Sequence, residues 1–255
     1  ITLRGLEAIR NADIIYLEHY TAVQHTKKEE LETFFNKPIV LANREMVEVG
    51  GGNIVDEAKE QDVAFLVVGD PFGATTHTDL FLRARKKGVH IEVIHNASIL
   101  SAVGVVGLEL YKYGRTTTIV FPEDGWVPAS SYDVIKKNQE NYMHTLCLLD
   151  IKLAEPTKED ILRGVDKPQP PRFMTIKEGL AALKEMEKQQ KGAVVTDDTL
   201  VIGVARIGGV NDVPMVKAGT VKELMGTDFG EPMHSLIIPA KKLHHVEEEM
   251  VRQWT

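Results

Sequence analysis

Cysteine is nearly absent from this chain: among 255 residues there is one, Cys147. A lone thiol excludes an intrachain disulfide and a thiolate metal centre, and a reducing, cytoplasmic setting is the natural reading. Cys147 lies inside the apolar run Thr145–Leu149 and reads as a small buried hydrophobe. Long apolar runs are missing too, since nothing approaches the ~20 residues that span a bilayer, and no membrane association is expected. The first residues, ITLRGLEAIRNAD, carry helical periodicity instead of a signal-peptide pattern. The chain opens at Ile1 without a methionine, so an upstream segment is expected. Positive charge is outweighed, with 30 Lys+Arg against 37 Asp+Glu. That balance argues against a nucleic-acid binder and still permits a basic protein surface as partner.

Familiar catalytic signatures are missing as well. There is no G-x-x-x-x-G-K-[ST] phosphate loop, no G-x-S-x-G elbow and no G-x-G-x-x-G turn. The nine histidines offer no i, i+4 pair with an acidic partner, and His244-His245 aim at different azimuths of a helix. A hydrolase, a kinase and a metalloenzyme are therefore disfavoured, no metal is expected, and a nicotinamide oxidoreductase lacks its fingerprint.

What the chain does contain is an alternation of strand and helix patterns. Apolar or β-branched runs fall at 14–17, 39–42, 63–68, 91–94, 117–121, 145–149, 200–205 and 235–238. Helical patterns fall at 3–11, 28–35, 54–60, 78–87, 97–110, 132–141 and 176–190. Thr78 can cap one helix and Gly88 can end it in a left-handed conformation; Thr175 and Glu178 form a capping box. Interleaving of this kind predicts an α/β fold with mostly parallel sheets flanked by helices. A domain boundary is placed after Tyr113, giving units 1–113 and 114–255. Residues 154–172, charged and proline-bearing, read as a surface excursion with one short helix near 157–163.

The most informative segment is VAFLVVGDPFGATTHTDL, residues 63–80. A strand buried on both faces ends abruptly at Gly69-Asp70-Pro71, and in open α/β sheets ligands bind beyond the carboxyl ends of strands. Gly69 and Gly73 let backbone approach a ligand, and Asp70 sets a carboxylate at the mouth; an ordinary Asp-Pro turn is the equal alternative. Other strand ends share this character. His95-Asn96-Ala97-Ser98-Ile99 opens a helix that Ser98 can cap, and Gly104 and Gly107 are expected to let that helix pack closely on the sheet. Asp150 follows Leu149, Arg206-Ile207 follows the run 200–205, and His234 precedes the run 235–238. Such a cleft, apolar and poor in ionisable groups, suits a cofactor held mainly by main-chain contacts.

GDPFGATTHTDL (69–80), HNASILSAVG (95–104), GRTTTIVF (114–121), MHTLCLLDIK (143–152), VARIG (204–208) and MHSLIIP (233–239), in that order, closely resemble the diphthine synthase family, of eukaryotic type. The family implies a two-domain tetrapyrrole methylase fold, the class III S-adenosylmethionine-dependent methyltransferases, and usually a homodimer. It implies cofactor contacts at Asp70, Gly73, Ser98, Ile99, Leu149, Ile207 and His234, with S-adenosylmethionine as methyl donor and S-adenosylhomocysteine as product. The implied substrate is elongation factor 2 carrying a 3-amino-3-carboxypropyl group on a histidine, in diphthamide biosynthesis. Family members begin with a short strand and a G-L-G-L-G turn that this chain lacks, which accords with an upstream segment. Alternatives of the same fold are a tetrapyrrole or cobalamin-precursor methyltransferase, which would want a basic cleft, and a non-catalytic translation-factor-binding module. The segment Pro122–Ser131, with Glu123, Asp124 and Trp126, reads either as the lining of the entrance for the protein substrate or as a surface loop whose tryptophan packs onto its own domain.

Overall fold

The computed structural model describes residues 1–20, 26–49, 52–73, 77–123, 126–152, 170–209 and 213–255. It divides into two compact units, Ile1–Ser101 and Ala102–Thr255.

The first unit is built on a three-stranded parallel sheet. Helix α1 (Leu3–Asn11) is capped by the Thr2 hydroxyl, which accepts from Gly5 N, and leads into β1 (Ile14–Glu18). Helix α2 (Lys28–Phe35) ends at Asn36 in the left-handed region and is followed by β2 (Val40–Ala42). A π turn at Glu45–Val49 precedes α3 (Gly52–Glu57), β3 (Val63–Leu66) and α4 (Thr78–Lys86). β1 lies between β2 and β3, with Tyr16 opposite both Val40 and Phe65. Side chains alternate across a strand, so the sheet has two unlike faces. Ile15, Leu17, Ala64 and Leu66 join Leu6 and Ile9 of α1 and Leu31 and Phe35 of α2 in an apolar core. The opposite face carries Tyr16, Glu18 and Phe65, and the Tyr16 hydroxyl donates to Glu57 of α3 at 2.6 Å.

Helix α4 closes as its sequence dictates. Gly88, at φ +77°, donates to Arg85 O while Val89 donates to Ala84 O, which is the Schellman pattern that a left-handed glycine permits. At its other end His77 and not Thr78 occupies the cap position, without a side-chain bond to the helix. The apolar run Ile91–Ile94 joins no sheet among the described residues, and Glu92 pairs with Arg4 of α1 instead.

The expected helix 97–110 is broken. It comprises α5 (Ile99–Ala102) and a 3₁₀ segment, Val103–Val106, that ends at Gly107 with φ +85°. Three valines at 103, 105 and 106 and two glycines make this a poor helix. The glycines pack on neighbours other than the sheet expected for them. A Cβ at Gly104 would press on Leu110, and one at Gly107 would collide with Met250 near the C-terminus.

The second unit holds a five-stranded sheet of order β4-β5-β10-β8-β9. Its members are β4 (Thr117–Ile119), β5 (Thr145–Leu149), β8 (Leu200–Ala205), β9 (Met215–Thr220) and β10 (His234–Ile238). β4 and β5 run parallel, and the other three pairings are antiparallel. A small antiparallel pair, β6 (Ile151–Lys152) with β7 (Arg172–Phe173), closes the base of the 154–172 excursion, whose expected helix lies outside the described residues. Helix α6 (Ser130–Glu140) and α7 (Ile176–Gln190) cover the sheet. Tyr132, Ile135, Ile176, Leu180, Leu183 and Met186 are buried there with Ile119, Cys147 and Leu236. Each such apolar side chain contributes roughly 1.5–3 kcal/mol. The Thr175–Glu178 capping box forms as expected. A shorter helix, α8 (Val221–Leu224), starts on a second such box at Thr220 and Glu223.

The last helix, α9 (His245–Arg252), was not expected from the sequence and ties the unit together. Glu247, 1% exposed, accepts from Glu109 N at 3.0 Å, His144 Nε2 at 2.9 Å, Lys112 Nζ at 2.8 Å and His244 N at 2.8 Å. His144 Nδ1 accepts from Ala240 N at 2.9 Å, which fixes its proton on Nε2 and makes that nitrogen the donor to Glu247. Trp254 Nε1 donates to Val106 O at 3.0 Å, and Ala218 N donates to Trp254 O. These bonds explain why residues 102–113 belong to the second unit, whose border lies at Ser101/Ala102.

Candidate functional site

In the first unit, two turns at the carboxyl side of β3 are clamped together through Asp70. After Gly69 (φ +91°) the chain turns so that Gly73 N donates to Asp70 O and Phe72 N donates to Asp70 Oδ1 at 2.9 Å. Asp70 Oδ2 accepts from His95 Nδ1 at 2.8 Å and from Asn96 N at 3.1 Å. The Phe72 amide first, helped by His95 and the Asn96 amide, holds the Asp70 carboxyl below the usual carboxylate range. Gly73 is pressed against the second turn, for a Cβ there would lie 2.9 Å from Ser98 Oγ. Ser98 caps the short α5 by accepting from Leu100 N at 3.3 Å, and Ile99 is the first residue of that helix. The structure thus brings Asp70, Gly73, Ser98 and Ile99 together.

The Asp70 carboxylate therefore spends its lone pairs on the protein, as the clasp between the turns. Asp70→Asn would set an amide NH₂ against the Asn96 N–H. We expect it to weaken cofactor binding by about 1–3 kcal/mol and to lower the melting temperature at the same time. Calorimetric titration beside thermal melts checks this; weaker binding with unchanged melting would show that Asp70 contacts the ligand alone.

In the second unit the remaining three positions share one edge of the sheet. Leu149 ends β5 opposite Ile119, and is buried in the core. His234 begins β10 opposite Ala205, the last residue of β8, and Arg206 N donates to Met233 O at 2.9 Å. Ile207 follows, half-buried. Since β5 and β8 both flank β10 antiparallel, Leu149, His234 and Ile207 stand where β5 and β8 end and β10 begins.

His234 is 7% exposed. Its Nε2 lies 3.0 Å from Glu231 O and must carry the proton, because a carbonyl only accepts. Nδ1 is then a bare acceptor, and it is buried without a hydrogen-bond partner among the described residues. Burial pushes the imidazole below its ordinary value and keeps it neutral. The carbonyl that sets this tautomer is itself held by Arg206, whose Nη1 donates to Glu231 O and Phe229 O at 2.6 Å each and whose Nε donates to Val213 O at 3.3 Å. Sequence reasoning placed Arg206 at a strand end without giving its side chain a task. The available signal was an arginine immediately after a buried strand and before Gly208-Gly209, where carbonyls need a donor.

In the segment 122–131, Glu123 and Trp126 exchange backbone hydrogen bonds, and Lys152 Nζ donates to Glu123 Oε1 at 2.6 Å. Trp126 is 67% exposed, so most of its surface is left uncovered. Asp124 lies outside the described residues. Among the described residues no cluster of three or more metal-ligating side chains occurs.

Residues 1–208 match the model of the tetrapyrrole (corrin/porphyrin) methylases. The chain is 48% identical to the diphthine methyl ester synthase of Homo sapiens, over 98% of this chain and 89% of that protein. It is likewise 48% identical to that of Candida glabrata, over 100% of this chain and 85% of the other. A crystal structure of a diphthine synthase superposes with a TM-score of 0.83 at 34% identity, covering 100% of this chain and 90% of that one.

Proposed function

The chain belongs to the tetrapyrrole (corrin/porphyrin) methylases and, within them, to the diphthine methyl ester synthases, and from that premise we propose how its residues serve S-adenosylmethionine-dependent methylation in diphthamide biosynthesis. The methyl acceptor is the 3-amino-3-carboxypropyl group on the histidine of elongation factor 2. The observation that carries the reading is the buried Nδ1 of His234, which has no hydrogen-bond partner among the described residues. A neutral imidazole acceptor asks for a ligand N–H or O–H, and an adenosine moiety offers both. Ser98 and Ile99 add the amides of a helix start, and Leu149 and Ile207 supply apolar walls.

The sulfonium, when bound, supplies a methyl group already activated for transfer. The protein then has to orient two reactants and exclude water, which lowers a barrier by as much as ~7–11 kcal/mol. Main-chain amides, apolar leucine and isoleucine side chains and a neutral histidine suit that task. The exposed Trp126 is assigned to the surface that docks the translation factor. A cytoplasmic homodimer is part of the same reading.

The test is to incubate the full-length protein with methyl-labelled S-adenosylmethionine and elongation factor 2 that carries or lacks the histidine modification. Label on the modified factor alone is expected. Label on a tetrapyrrole acceptor instead, or no label on either form of the factor, overturns the reading.

A further inference from the structure

Histidine 77 sits at the end of the β3–α4 connection, the same segment that carries Asp70 and Gly73. Its side chain is 6% exposed, and neither ring nitrogen has a hydrogen-bond partner among the described residues. It makes no bond to the helix whose cap position it holds. A buried imidazole with a purely structural task is ordinarily satisfied on at least one nitrogen, so two unmet nitrogens point to a ligand. The surroundings are specific. The Phe65 ring lies 5.4 Å away and the Tyr20 ring 6.4 Å away, both edge to face. Phe65 shares its sheet face with Tyr16 and Glu18, the face turned away from the apolar core. Glu18 is 1% exposed at the carboxyl end of β1, and its Oε1 accepts from Tyr20 N at 2.6 Å. Arg44 lies 5.7 Å over the Tyr20 ring. One face of a three-stranded sheet thus carries aromatic rings, a buried carboxylate and an unsatisfied histidine where parallel strands end, the place where such sheets bind ligands.

We infer that His77, with Tyr20, Phe65 and Glu18, forms the subsite for the methyl-accepting amine, and that His77 takes the proton released on methylation. This inference rests on the function proposed above. In the first two transfers the amine donates an N–H to the imidazole, and in all three its lone pair forms the new N–C bond. The C–S bond breaks with its electron pair going to sulfur, and in the first two transfers the N–H proton passes to His77 and then to solvent. After the last transfer the nitrogen has no proton, and the quaternary ammonium lies against the aromatic rings and the Glu18 carboxylate, the chemistry by which such cations are recognised.

The experiment measures kcat, cofactor affinity and melting for the full chain with His77→Ala and His77→Gln, using modified elongation factor 2. A general base contributes about 10²–10⁴-fold, so turnover should fall at least 100-fold in both variants. The dissociation constant for S-adenosylmethionine should stay within about twofold, and free imidazole should restore part of the turnover of His77→Ala. Independently of turnover, Glu18→Gln should weaken binding of trimethylated factor to the S-adenosylhomocysteine-loaded enzyme about tenfold. Turnover of the His77 variants within threefold of the parent overturns the proposal. So does a parallel loss of cofactor affinity, a folded His77→Ala chain that imidazole does not rescue, or unchanged binding by Glu18→Gln. A parent chain that labels no modified factor overturns the functional reading first, and this subsite with it.

Discussion

Replacing Glu247 by Ala is expected to destabilise the second unit by about 3–5 kcal/mol, the range for removing one partner of a buried charged pair. The side chain collects four donors from three separate segments, at 109–112, 144 and 244. Its loss leaves His144 Nε2–H and the Glu109 amide without acceptors inside the protein, while Lys112, partly exposed, can turn to water. For a unit of this size the melting temperature should fall on the order of 10 °C. Glu248→Ala is the control: its carboxylate is exposed and pairs, among the described residues, with Arg252 four residues on, so a change within about 0.5 kcal/mol is expected. Equal melting of the two variants would contradict the account.

The same cluster sets an acid limit. Burial alone would raise the Glu247 carboxyl, but the His244 and Glu109 amides, the Lys112 ammonium and His144 outweigh it and bring it to about 2. A carboxyl depressed by folding contributes stability that is complete above its unfolded value and lost as pH falls through the folded one, so this share fades between about pH 4.5 and 2. His144 is pushed down, chiefly by burial. Its neutral form is the folded one, so acid works against folding at this residue too, starting at the higher pH where an unfolded histidine protonates. Chemical denaturation between pH 8 and 2 should therefore show stability falling with acid, and Glu247→Ala should flatten the part of that curve below about pH 4.5.

The second large effect is expected at Arg206. Its guanidinium donates to three carbonyls, one of which fixes the protonated nitrogen of His234. Arg206→Lys keeps the charge but cannot span these acceptors. Hydrogen bonds to charged groups contribute about 1.5–3 kcal/mol, so cofactor affinity should fall roughly ten- to a hundredfold while the fold persists. A double-mutant cycle separates this from general loosening. If Arg206 acts through His234, then Arg206→Lys added to His234→Ala should cost little more than His234→Ala alone. Additive losses would show that Arg206 affects binding by another route.

Much of this was legible in the residues. The capping box at Thr175, the left-handed glycine at position 88 and the strands 145–149 and 200–205 follow from local chemistry, and local chemistry prevails there. What escaped is what depends on partners distant in sequence. Ile91–Ile94 has the composition of a strand but no neighbour to pair with among the described residues. Met215–Thr220 reads as MVKAGT, with lysine, alanine and glycine in place of β-formers, and is a strand because β8 pairs with all six of its residues. Pairing direction in the second sheet is set by where β10 inserts, not by the interleaving of helices. In the site, the strand-end positions could be named from the sequence, yet the bond from His95 to Asp70 spans 25 residues and has no local signature. Histidine 77 was hidden by its setting, read as one more polar residue in a threonine-rich turn; an acid at the end of the apolar run IIYLE was the other overlooked cue.

The position of β10 bears on how the chain is made. It is the penultimate element among the described residues, yet it lies at the centre of its sheet, between strands synthesised some 30 and 90 residues earlier. Until residues 234–254 leave the ribosome, β5 and β8 each expose an unpaired edge, and the acceptor for His144 has not been translated. Among the described residues the first unit shows no such dependence, since β1, β2 and β3 all lie within residues 14–66. Synthesis should thus yield a folded amino-terminal unit ahead of a waiting, chaperone-accessible second one, and a premature stop before Ile238 should yield a chain prone to edge-to-edge association.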